Sequence, residues 1–80
     1  MNRYEVIDMS CNYDERYVDI STRFRNYRIP FYEINQINVF PQRIGIWYKS
    51  NIAVYRGEPQ QIKRKQKDLE KTGISMRNAT

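Results

Sequence analysis

The run "RFRNYRIPFY", residues 23–32, packs three arginines and four aromatic rings around one proline. Guanidinium groups hold phosphates, and flat rings stack on unpaired bases. The same composition also describes the wet face of an ordinary β-strand. A second basic cluster, Lys63, Arg64, Lys65, Lys67 and Lys71, lies further along the chain. It could hold an anionic partner or simply solvate a surface helix. Trp47, with Tyr48 and Tyr55 close by, is a third candidate. A tryptophan exposed among polar neighbours anchors interfaces, whereas packing in the core is the default for aromatics in so small a chain.

Other chemistry is poorly provided for. The chain has no histidine and one cysteine, Cys11. A Ser-His-Asp or Cys-His relay therefore has no base, and a zinc site lacks its usual ligands. The glycines stand alone at 45, 57 and 73, so no phosphate-cradling loop can form. Asp14 and Glu15 are neighbours in a polar turn, not a spaced acid–base pair. The expectation is a chain that is not an enzyme, with no catalytic residues, no metal and no cofactor.

Eighty residues bound what else is possible. A chain of this size forms one domain with a modest core and little room for a deep cleft. Hydrophobic residues make up 40% and charged residues 29%, which suits a folded chain. The net charge of +5 is lopsided. Residues 1–40 carry five arginines and six acids, a balance of −1; residues 41–80 carry nine Lys and Arg against three acids, a balance of +6. No apolar run approaches the length of a membrane span. The first ten residues lack the apolar core of a secretion signal, and a lone cysteine suits a reducing compartment. A cytoplasmic protein is expected. The many Asn, Ile, Tyr and Lys residues hint at an AT-rich bacterial or phage genome.

These residues need elements to position them. Residues 4–11, "YEVIDMSC", alternate imperfectly, with Ile7, Met9 and Cys11 on the expected buried face. "NYDE" at 12–15 reads as a turn. Residues 16–25 carry the clearest period of two: Val18, Ile20, Thr22 and Phe24 inward, Tyr17, Arg23 and Arg25 outward. On that reading Phe24 points away from its arginines. Arg28 extends their row, with Glu5 or Asp8 as cross-strand partners.

Pro30 marks an edge or a strand end. "RIGIWYKS" and "NIAVYRG" read as a hairpin connected through residues 49–51, with Ile44, Ile46 and Tyr48 on one face and Ile52 and Val54 sharing a face of the partner. Gly45 suggests a bulge or a close approach. From Pro59 the composition turns helical as far as residue 72, with Gly73 as the stop and a thin seam of Ile62 and Leu69. Arg64 and Asp68 are spaced for a side-chain pair. Residues 74–80 read as a flexible tail.

The expected fold is α+β, mainly β: a bent antiparallel sheet of about six short strands with one C-terminal helix at about 59–72, in a single domain over residues 1–73. Residues 28–71 resemble the later half of small bacterial PH-like domains. There an Ile-Pro dipeptide leads to a Glu-Ile pair, two strands follow, and a helix closes the sheet. Ile29, Pro30, Glu33 and Ile34 carry the first part of the likeness; Ile44 to Ile46, Ile52 to Tyr55, and the Ile62–Leu69 seam carry the rest. The resemblance implies a binding scaffold for proteins, peptides or, in some branches, lipid headgroups.

Three functions follow as expectations. The first is a small non-enzymatic module that binds another protein, as a phage or mobile-element inhibitor of a host factor would. The second is nucleic-acid binding through Arg43, Lys49, Arg56 and the helix lysines. The third is self-association into a homodimer. The candidate contacts are Arg23, Arg25, Arg28, Trp47, Lys63, Arg64 and Lys67.

Overall fold

The computed structural model describes residues 1–78. These residues are mainly β, with eight strands in two sheets and one C-terminal helix among them. In order these are β1 (Asn2–Val6), β2 (Asp8–Asn12), β3 (Tyr17–Ser21), β4 (Asn26–Pro30), β5 (Ile34–Phe40), β6 (Arg43–Tyr48), β7 (Asn51–Arg56), α1 (Pro59–Glu70) and β8 (Met76–Asn78). One sheet runs β1-β7-β6-β5-β8 and the other β2-β3-β4. The expected single antiparallel sheet is thus two sheets, and two of its pairings, β1 with β7 and β5 with β8, are parallel.

The first strand of the sequence reading is really two. Tyr4 and Val6 face the core, and so do Met9 and Cys11, although the two sets differ in phase. Ile7 absorbs the slip. It is 62% exposed, not buried as its alternation with Met9 suggests. Its amide donates to the Ser21 carbonyl at 2.7 Å, so the chain stays paired while it changes sheet. One residue out of phase flips every following side chain, and a break at Ile7 restores the inward set.

β3 also stops earlier than its pattern. Val18 and Ile20 are fully buried, but the chain turns at Thr22. The Thr22 hydroxyl accepts from the amides of Phe24 and Arg25, at 3.3 and 3.2 Å, and its own amide donates to the Arg25 carbonyl at 2.9 Å. This local hydrogen bonding competes with the ladder and wins. Phe24, expected inside, stands 90% exposed at the tip of the β3–β4 hairpin. Pro30 ends β4, an edge strand of the smaller sheet, where its missing donor costs nothing.

The core lies between the sheets. Ile37 of β5, Ile44, Ile46 and Tyr48 of β6, Ala53 and Tyr55 of β7 face Val18, Ile20 and Ile29 of the smaller sheet. The helix packs against β2 and β5 by the expected Ile62 and Leu69, both buried. Pro59 opens it, and the Glu58 amide donates to Gln61 Oε1 at 2.8 Å. Gly73 ends it with φ of 76°, a conformation that favours glycine. Lys65 folds back to the Asp8 carboxylate at 3.1 Å and the Met9 carbonyl at 2.6 Å, and the Tyr13 hydroxyl donates to the Asp68 carbonyl. The Lys65 ammonium holds the Asp8 carboxyl below its ordinary range. Beyond Gly73, Met76–Asn78 of the expected tail lie on the sheet as β8. Residues 79 and 80 lie outside the described residues. No helix among the described residues is long and apolar enough to cross a membrane.

Tyr48 gives this core a pH dependence. Burial, reinforced by the nearby Tyr4 and Tyr27 hydroxyls, pushes its phenol up to about 12. An unfolded tyrosine titrates near 10. The folded state therefore binds this proton more tightly than the unfolded state does. The contribution is complete below pH ~10 and is lost as pH rises through ~12. The urea midpoint should fall across that window, and Tyr48→Phe should flatten this part of the fall.

Candidate binding face

The hairpin β6–β7 decides which side chains face out. Lys49, with φ of 52°, and Ser50 make a two-residue turn, so Tyr48 pairs with Asn51, Ile46 with Ala53 and Trp47 with Ile52. Ala53 and Tyr55 then lie on the core side with Ile44 and Ile46. Ile52 and Val54, grouped together by their spacing, lie on the opposite face beside Trp47.

Register extends this outer face across the sheet. One row is Arg3, Ile52, Trp47 and Gln36; the next is Glu5, Val54, Gly45, Asn38 and Arg77; a third is Arg56, Arg43 and Phe40. A solvated sheet face normally alternates to polar residues. This one carries Trp47, Ile52, Val54 and Phe40 within a border of arginines. Val54 is only 3% exposed, yet it is not part of the central core cluster.

A hollow of about 190 Å³ opens here, walled by Trp47, Ile52, Val54 and Phe40. Gly45 forms part of its lining because it has no side chain. The close approach expected at this glycine is real: a Cβ there would meet Ile52 Cδ1 at 3.3 Å. The bulge lies elsewhere, between Ile34 and Gln36. Asn38 also lines the hollow, and its buried Oδ1 has no hydrogen-bond partner among the described residues. A buried amide oxygen without a donor is uncommon in folded proteins.

The charges around the hollow are unequal. Glu5 sits between Arg3 and Arg56, at 3.9 and 3.3 Å. Arg43 has no acidic partner among the described residues; its guanidinium lies 4.0 Å from the Phe40 ring centroid. Phe40 also borders a second, 400 Å³ groove against the helix start, lined by Pro41, Pro59, Ile62 and Lys63.

The sequence candidates are therefore dispersed. Trp47 lies on the larger sheet, whereas the arginine row belongs to the smaller one. Arg28 pairs with Asp19 at 3.2 Å, not with Glu5 or Asp8, and its guanidinium stacks 3.9 Å over Tyr17. That stack buries Tyr17, which the alternation had placed on the wet face. Arg23 and Arg25 flank Phe24 at the hairpin tip. Lys63, Arg64 and Lys67 are exposed on α1, and Arg64 makes no ion pair with Asp68. Cys11 is half-buried, and burial pushes its thiol up, away from the reactive thiolate.

Arg3, Asn38, Phe40 and Ile52 were missed as contacts because they belong to three other strands, β1, β5 and β7, which only strand pairing sets beside Trp47. The one available signal was the length of the Lys49–Ser50 turn, which sets the β6–β7 register and so puts Ile52 beside Trp47. Comparison of the chain with protein-family models, with curated proteins and with solved structures finds no match.

Proposed function

We propose that this chain is a non-catalytic interaction module that binds another protein through the outer face of its five-stranded sheet. The observation that carries the reading is the composition of that face. Trp47, Phe40, Ile52 and Val54 form an apolar centre, and Arg3, Arg43, Arg56 and Arg77 form the rim. Buried aromatic anchors, enriched arginine and a polar border are the anatomy of protein interfaces. The likeness of residues 28–71 to PH-like domains, which are binding scaffolds, points the same way. The inhibitor role in a phage or mobile element belongs to this reading, since occupying a host surface needs no catalytic group.

The rim selects an acidic partner. It also opposes a homodimer through this face, because a two-fold axis would set the same arginines against one another. A photo-crosslinking residue at position 47 should capture a discrete protein, while the same group at Tyr32, exposed elsewhere, should not. Arg43→Glu should abolish the capture. Equal capture from both positions would refute the assignment.

The surplus of cations favours a second reading, nucleic-acid binding across Arg43, Lys63, Arg64 and Lys67. It requires affinity that falls steeply with salt. Anisotropy of a labelled oligonucleotide at 50 and 200 mM salt measures this directly, and no binding at the lower salt would eliminate it.

A further inference from the structure

We infer that the hollow beside Trp47 is a socket for one apolar side chain of an acidic, extended peptide segment, with flanking carboxylates on Arg43 and Arg3. The inference rests on the protein-binding reading and names the chemistry of the partner.

Each part of the site asks for something different. The walls of Ile52 and Val54 and the Trp47 ring match an aliphatic or small aromatic anchor. Arg3 on β1 and Arg43 on β6 both line the hollow from different strands, with β7 between them. Carboxylates on either side of the anchor would therefore each meet a guanidinium.

The same details disfavour a single-stranded nucleic acid. Base stacking needs free ring faces, and the Arg43 guanidinium already covers Phe40 at 4.0 Å. Trp47 is the one remaining large ring on the face.

Trp47 is the only tryptophan, so its fluorescence reports occupancy without a label. The probes are blocked heptapeptides: Asp-Asp-Glu-Leu-Asp-Glu-Asp, the same peptide with alanine for leucine, and one with its acids replaced by Asn and Gln. A twelve-residue oligo-dT serves as the competing polyanion. The leucine peptide should shift Trp47 emission and bind about tenfold or more tightly than its alanine counterpart, since the anchor contributes buried apolar area. It should lose most of its affinity without its acids. Arg43→Gln should weaken it several-fold, and Gly45→Ala, which narrows the hollow while pressing only on the flexible end of Ile52, should weaken it comparably. Circular dichroism and the thermal midpoint confirm that both variants fold.

Equal binding of the leucine and alanine peptides would overturn the socket, as would indifference to Gly45→Ala or no binding of any peptide. If no peptide binds but the crosslinker at position 47 still captures a protein that Arg43→Glu releases, the socket fails and the interaction module stands. If oligo-dT binds the face more tightly than every peptide, both fail.

Discussion

Replacing Ile46 with alanine lowers the thermal midpoint by roughly 10–30 °C. Ile46 is fully buried at the centre of the larger sheet, between Ile37 of β5 and Ala53 of β7. Truncation removes the burial of several methyl and methylene groups and leaves a cavity, at a cost of about 2–5 kcal/mol. Ala53 across the strand is already small and cannot fill the space. A domain of this length holds only about 4–12 kcal/mol in total. The substitution therefore consumes a large fraction of the whole. Thermal unfolding followed by circular dichroism gives the shift. A drop under about 5 °C would mean that the space between the sheets collapses freely, contrary to the close packing described here.

Leu69→Ala has the next largest effect, about 2–4 kcal/mol, and it is local. Alanine is the best helix former, so α1 loses packing and not propensity. Leu69 and Ile62 are the helix's two buried anchors, and the polar ties beside them, Lys65 to Asp8 and Tyr13 to Asp68, are exposed or partly so. With one anchor gone, the helix opens more readily than the sheet beneath it. Amide hydrogen exchange should quicken in Pro59–Glu70 and in β8, which follows the helix, before it does in β6 and β7. A uniform loss of protection across all strands would instead place Leu69 in the global folding unit. Lys63→Ala, on the exposed side of the same helix, should change little.

These two residues differ in how plainly the sequence announced them. Ile44, Ile46 and Tyr48 were readable as one buried face because period two persists along β6 without interruption. The Ile62–Leu69 seam, Pro59 and Gly73 were equally plain, since caps and helix spacing are local signals. Failures occurred where one residue broke the period. Ile7 hid a strand that changes sheets, and the turn at Thr22 ended β3 at Ser21, four residues before its alternation did. At β7 the spacing correctly grouped Ile52 with Val54 but could not choose the side, because Ala53 and Tyr55 are apolar as well.

What the sequence by itself determined is the class of the protein: mainly strands, one helix near the C-terminus, and positive charge concentrated in the second half. Those properties reside in composition and in neighbours a few residues apart. The tertiary structure alone decided that Arg3, Asn38, Phe40, Trp47 and Ile52 share a surface, that Arg28 is occupied by Asp19 and Tyr17, and that the end of the chain returns as β8. Pairings such as Arg3 with Ile52 span some fifty positions of chain. Nothing local encodes them; they follow from which strand faces minimise exposed apolar area once both sheets close over a single core.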